Sequence, residues 1–94
     1  MTTLTEVYEA LTLRVVVDDY GTRRYYNSSN LLHREAGPAV EYIDGTSLWY
    51  QDGVLHRMDG PATVRATGYS EWWIKGIPHS KQSYLAAGGT LHDH

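Results

Sequence analysis

The sequence predicts a mainly β protein, an antiparallel meander of about six strands built from hairpin repeats with a short helix at each end. Three observations carry that prediction. The phrase Leu32-His33-Arg34-Glu35-Ala36-Gly37-Pro38-Ala39 returns as Leu55-His56-Arg57-Met58-Asp59-Gly60-Pro61-Ala62, and His79 marks a third copy at the same 23-residue offset. Glycine-bearing turn signals, Asp44-Gly45 and Asp52-Gly53, mark hairpins around the second copy. Between them lie runs of β-branched and aromatic residues, the composition that suits a pleated, half-buried surface. A period in the 20–50 range marks an array whose units bury their cores against one another.

The elements follow in chain order. Leu4, Val7, Tyr8 and Leu11 fall at helical spacing, and Thr3 with Glu6 fits a capping box, so a helix is predicted over 4–11. Two turns would not hold alone in water, and Thr3 and Thr5 suit a strand as well, which keeps a strand running into Val15 as the competing reading. Residues 12–79 form the predicted repeat sheet. Thr12 to Val17 and Arg23 to Asn27 flank the turn cluster Asp18-Asp19-Tyr20-Gly21. At the 23-residue offset Tyr26, Trp49 and Trp72 align, as do Asn30, Gly53 and Gly76, and Leu31, Val54 and Ile77. Gly21 lies one residue off that period from Gly45, which suits a degenerate terminal unit. Asp44-Gly45 and Asp52-Gly53 both read as type I′ hairpins. Leu31 to Ile43 and Val54 to Ala66 read as long strands bent at Gly37-Pro38 and Gly60-Pro61, because proline offers no ladder donor. Ser80 is a good N-cap for a helix over 80–87, Gly88-Gly89 ends it, and 88–94 is predicted to be a loose tail. All 94 residues are assigned to one domain.

Composition narrows the function classes. With 8 Lys and Arg against 11 Asp and Glu, the net charge of −3 argues against a general phosphate-binding surface, so no direct nucleic-acid partner is expected. There is no Cys, which removes disulfides and thiolate metal sites and fits a cytoplasmic protein. The N-terminus lacks the basic and apolar regions of a signal peptide, and no apolar run approaches a membrane span. No Phe is present, so bulk must come from 3 Trp and 8 Tyr.

The units resemble MORN-type repeats: Trp49, Gly53 and His56, then Trp72, Gly76 and His79, with Tyr26, Asn30 and His33 as a weaker copy. The resemblance spans roughly 22–79. The H-R-x-x-G-P-A phrase departs from the family's usual His-Gly-x-Gly and resembles repeats of uncharacterised bacterial and bacteriophage proteins. The resemblance implies a scaffold for protein or lipid contacts and no catalytic residue.

Each chemical constellation has a plain competitor. Equivalent positions in successive hairpins lie about 10 Å apart, twice the strand spacing, whereas zinc ligands must come within about 2.1 Å of one ion. No metal shared by His33, His56 and His79 is therefore expected, and each ring is expected beside its own hairpin's aromatic, bonded to backbone near the Gly-Pro bend. His92 and His94 could chelate only adventitiously. Arg34 and Arg57, beside Glu35 and Asp59, read as local ion pairs on a solvated bend. Adjacent rings such as Trp72-Trp73 must point to opposite faces of a strand, so one ring of each pair is left for a second face. The candidate partner-binding set is Tyr25, Tyr50 and Trp73 with Arg23, Arg24 and Glu71. No catalytic or cofactor-binding residue is assigned, since no P-loop, nucleophile-elbow or HExxH pattern occurs.

The expectation is a small non-enzymatic protein-binding module, in its phage-encoded version an anti-CRISPR or other anti-defence inhibitor that occludes a bacterial host complex sterically. The alternative is a self-associating or membrane-surface scaffold, with a homodimer as its simplest form. A hydrolase or nuclease built on the periodic His and Arg residues ranks third.

Overall fold

The computed structural model describes residues 5–9 and 13–91. Eight strands form one antiparallel sheet: β1 (Thr5–Glu9), β2 (Leu13–Val17), β3 (Arg23–Tyr26), β4 (Val40–Glu41), β5 (Ser47–Leu48), β8 (Thr63–Val64), β9 (Ser70–Ile74) and β10 (Ile77–His79), in that hydrogen-bonded order. β6 (Tyr50–Gln51) and β7 (Val54–Leu55) pair as a separate hairpin, and helix α1 (Lys81–Ala86) follows β10. The molecule is elongated along the array, 48 × 29 × 19 Å.

The mainly β meander is as predicted, with one correction at its start. Thr5–Glu9 is a strand, not part of a helix over 4–11, and it pairs along its whole length with Leu13–Val17. β2 would otherwise be an edge strand rich in valine, and a paired neighbour satisfies its backbone better than two unsupported helical turns could. Residues 4, 10 and 11 of that expected helix lie outside the described residues.

The 23-residue period appears directly in the backbone hydrogen bonds. Gly53 N–H donates to Leu32 O and Gly76 N–H to Leu55 O, while Arg34 N–H donates to Tyr50 O and Arg57 N–H to Trp73 O. The long predicted strands are broken because the H-R-x-x-G-P-A phrase is a detour. In consequence the segment after Thr46 pairs first with β8 and then with β7.

The first hairpin carries one extra residue. Tyr26 pairs with Leu32 across a loop closed by Asn27 N–H to Leu31 O, whereas Tyr50 pairs with Leu55 across the two-residue Asp52-Gly53 turn. Trp49 N–H donates to Ala62 O as Tyr25 N–H does to Ala39 O, so Tyr25, Trp49 and Trp72 are the equivalent rings. Tyr26 belongs instead with Tyr50 and Trp73. The expected alignment of Tyr26 with Trp49 is corrected by this slip, which exchanges the two faces of the sheet.

The dipeptides also separate. Asp52 and Gly53 both have positive φ (48° and 85°), as type I′ requires, and Lys75-Gly76 repeats it (51° and 80°). Asp44-Gly45 is different: only Gly45 has positive φ, and the loop is one residue longer, closed by Tyr42 N–H to Thr46 O. Asp44 Oδ1 accepts the Thr46 N–H at 2.8 Å, an Asx turn in which Asp44 needs no positive φ.

The recurring phrase has a structural account residue by residue. Each equivalent ring carries a cover: the Arg34 guanidinium lies 3.9 Å over Tyr25, Arg57 lies 3.7 Å over Trp49, and Tyr84 of α1 packs against Trp72 at 6.4 Å between centroids. The Arg57 side chain is only 3 % exposed and is satisfied by Asp59 Oδ1 (2.8 Å) and Pro61 O (3.1 Å). It is therefore a buried stack, not the solvated bend expected, and a desolvated cation–π contact is worth about 2 kcal/mol. Arg34 reaches Pro38 O and pairs with Glu41, not Glu35. The glycine leaves room for the arginine: a Cβ on Gly60 would sit 2.8 Å from Arg57 Cζ. Ala39 and Ala62 are fully buried beside these bends.

The histidines join repeats. His33 Nδ1 accepts the Asp52 N–H and His56 Nδ1 accepts the Lys75 N–H, each from the turn of the following hairpin and not from a Gly-Pro bend. His79 has no following hairpin and its Nδ1 meets Ser83 Oγ of α1. Ser80 caps the helix through Ser83 N–H, as predicted. The expected loose tail is pinned as far as Thr90, whose N–H donates to Met58 O; residues 92–94, including His92 and His94, lie outside the described residues.

Candidate functional site

Cross-strand register decides which side chains share a face. Val16, Arg24, Val40, Leu48, Thr63 and Glu71 stand opposite one another in an unbroken row across five strand pairings, and opposed residues point to the same side. Two residues further along the chain, Tyr26 on β3 and Trp73 on β9 join that face, and Tyr50, at the start of β6, lines the same cleft as Leu48. Of the six predicted partner-binding residues, four therefore come together: Arg24, Tyr50, Glu71 and Trp73. Arg23 pairs with Glu41 in the neighbouring row and faces the other way. Tyr25 is 3 % exposed beneath Arg34, so its ring is core and it leaves the set.

The four are not equally available. Arg24 Nη1 is 2.9 Å from Asp18 Oδ2, and that hydrogen bond is the main cause holding the Asp18 carboxyl below its usual range, with backbone N–H groups of Tyr20 and Thr22 adding to it. Trp73 Nε1 donates to Glu71 Oε1 at 3.1 Å, fixing the indole edge-on to the carboxylate. Tyr50 and Trp73 are both half-buried.

Within the second repeat, beside the turn at 42–46, this face opens into a cleft of about 420 Å³. Leu48, Leu55 and Thr63 line it, Tyr42 and Tyr50 flank it, and Asp44, Thr46 and Arg65 complete it toward the turns. Thr63 is 1 % exposed and its Oγ1 has no hydrogen-bond partner. A buried hydroxyl without a partner is costly, which makes Thr63 an orphaned polar group on the cleft wall. The Asp44 carboxyl is held below the ordinary carboxylate range by the Thr46 backbone N–H, then the Thr46 hydroxyl, with the nearby Arg65 charge contributing. Asp44 and Arg65 thus give the cleft one stable anion and one cation.

Apart from Tyr50, none of these lining residues belongs to the predicted partner-binding set. The signal available was departure from the repeat: Leu48 stands where Arg24 and Glu71 stand, and Thr63 stands where Val40 stands. Among the described residues, no cluster of three or more His, Asp or Glu side chains is arranged to hold a metal ion. No helix among them is long and apolar enough to cross a membrane. No family model, no curated protein and no solved structure matches this chain.

Proposed function

We propose that this chain is a small non-enzymatic protein-binding module that engages one partner stoichiometrically through the face carrying Tyr50, Glu71 and Trp73. The observation that supports it best is the division of labour between positions. Arg57, His56, Gly60 and Ala62, repeated from 34, 33, 37 and 39, are consumed by internal contacts, whereas the face with the cleft differs in each repeat. Half-buried aromatic rings beside a charged rim are the composition of binding hot spots. The resemblance to MORN-type repeats agrees with a scaffold role, and the phage-like variant of the phrase nominates bacterial host and defence complexes, blocked by steric occlusion, as the first partners to try.

The test is capture from bacterial lysate with the tagged chain, alongside Trp73→Ala and Tyr50→Ala. A single stoichiometric partner, lost in both variants while their melting curves stay intact, is the expected result. Background proteins alone across several hosts, or a partner indifferent to both substitutions, would refute it.

One observation favours self-association as a second reading. Leu31 lies 3.5 Å from the Cβ position of Gly53, and Val54 lies 3.5 Å from that of Gly76, so each turn is covered by its predecessor. Ile77, next in that series, is 61 % exposed with no following turn. Sizing of the purified chain distinguishes the two, since a self-associating array runs larger than one chain without any partner.

A further inference from the structure

We infer that the cleft of the second repeat receives an extended segment of the partner that presents one acidic side chain two residues away from an aliphatic one. This rests on the protein-binding reading and gives it a ligand chemistry. Thr63 and Arg65 are two residues apart on one strand line and both face the cleft. Side chains at that spacing lie about 6.6–6.8 Å apart, and an extended segment lying along the strands presents its own side chains at the same interval. A helix has no such match, since its neighbours on one face come at three and four residues.

Charge complementarity picks the groups. Among the described residues the Arg65 guanidinium makes no hydrogen bond or ion pair, although it is close enough to Asp44 to depress that carboxyl through space. Its planar donors match a carboxylate, which they can hold in a bidentate fork. Asp44 has one oxygen engaged by the Thr46 N–H and repels a second acid at the same end, so a single carboxylate is favoured over an acidic run. Beside that end, Leu48 and Leu55 offer apolar surface for an aliphatic side chain. The Thr63 hydroxyl, which can donate and accept, has no partner inside the protein and is 1 % exposed. The backbone amide of an extended segment supplies both an N–H and a C=O to it. The volume, about 420 Å³, is that of a site for a few residues.

The neighbouring repeat shows what closes such a cleft. At the position of Leu48 it has Arg24, which spans to Asp18 at 2.9 Å, and at the position of Thr63 it has the apolar Val40. The second repeat has exchanged a self-contained ion pair for an open apolar wall and an orphan hydroxyl.

The experiment is an amide chemical-shift titration of the intact chain with acetyl-Ser-Leu-Thr-Glu-Ser-amide. Two controls accompany it: the Glu→Gln peptide, and acetyl-Ser-Thr-Leu-Glu-Ser-amide, in which the two groups are adjacent. Saturable shifts at Leu48, Thr63 and Arg65 are expected with the first peptide. Binding about tenfold weaker is expected with either control and with the exposed-site variant Arg65→Gln, the loss of one charge-assisted contact. Equal affinity for all three peptides, shifts centred elsewhere, or no saturation would overturn the inference. So would a dimer abolished by Arg65→Gln, which would seat a second copy in the cleft. A lysate partner retained by Arg65→Gln but lost by Trp73→Ala would overturn the cleft assignment and leave the protein-binding reading standing.

Discussion

Replacing Tyr84 by Phe removes one oxygen atom and nothing else, which makes it the cleanest probe of how the array is closed. The ring is 0 % exposed and is the buried residue of α1. Its hydroxyl lies 2.7 Å from Arg57 O and 2.8 Å from Gly60 O, and it accepts the Gly60 N–H at 3.1 Å. A phenol has one proton, so it donates to the two carbonyls in turn or shares the proton between them. Burial pushes its pKa up, so the proton stays in place across the neutral range. The Phe variant keeps the contact with Trp72 but strands a buried N–H and loses its donor to the carbonyls. Losing a hydrogen bond and leaving a buried donor unmet together cost about 2–3 kcal/mol. For a chain of this size that corresponds to a fall of about 10–20 °C in Tm. Circular dichroism melting measures it, with Tyr20→Phe, the same chemical change at an 82 % exposed site, as the control. If Tyr84→Phe melts within about 2 °C of that control, the hydroxyl does not moor the helix to the second bend and the closure argument fails.

Further outcomes follow from the same contacts. Thr63→Val should raise stability to denaturant by about 1 kcal/mol, because the hydroxyl it removes is buried and unpartnered; a loss would mean the hydroxyl has a partner in solution. Gly60→Ala should cost about 2–3 kcal/mol by urea titration, since its Cβ would lie 2.8 Å from a guanidinium pinned by Asp59 and Trp49. Gly37→Ala should cost less, because Arg34 is more exposed and its nearest atom is 3.1 Å away. His56 is held below its usual pKa of 6.5 by burial and then by the Lys75 charge, so below that pH the unfolded chain binds the proton more readily than the fold. Its contribution is complete above about pH 6.5 and is lost as the pH falls from there through its lowered value, so urea midpoints should drop as the pH is taken below about 6.5, less steeply in His56→Ala.

What could be read from the chain depended on whether one residue decided the matter or a count did. The helix cap at Ser80 and the turn at Asp52-Gly53 were legible because local sterics suffice. Asp44-Gly45 misled because the same dipeptide serves two loop lengths, and the pairing of Tyr42 with Thr46, not the dipeptide, sets which. The faces of the first hairpin were unreadable for a similar reason. One added residue in the Asn27–Leu31 loop shifts everything before it, so a constant offset aligned Tyr26 with Trp49 and left Tyr25, which is core, in the partner-binding set. At the N-terminus, Leu4, Val7 and Tyr8 fit a helical stripe, but periodicity carries no information on what lies opposite, and β2 supplied a partner.

The same reasoning separates structure from function in a chain that can be compared only with itself. A repeat must place equivalent groups at equivalent sites or the units will not stack, so identity between copies reports the constraint of assembly. Arg34 and Arg57 both cover a ring and bind the proline carbonyl four residues on; His33 and His56 both take the N–H nineteen residues on. None of these groups is free to meet a partner. The three sites of the central row are the reverse: Arg24, Leu48 and Glu71 occupy one register position with a cation, an apolar side chain and an anion. A surface whose periodicity has been released in this way can be aperiodic only if stacking does not need it. The cleft lies where two such departures, Leu48 and Thr63, stand directly opposite each other.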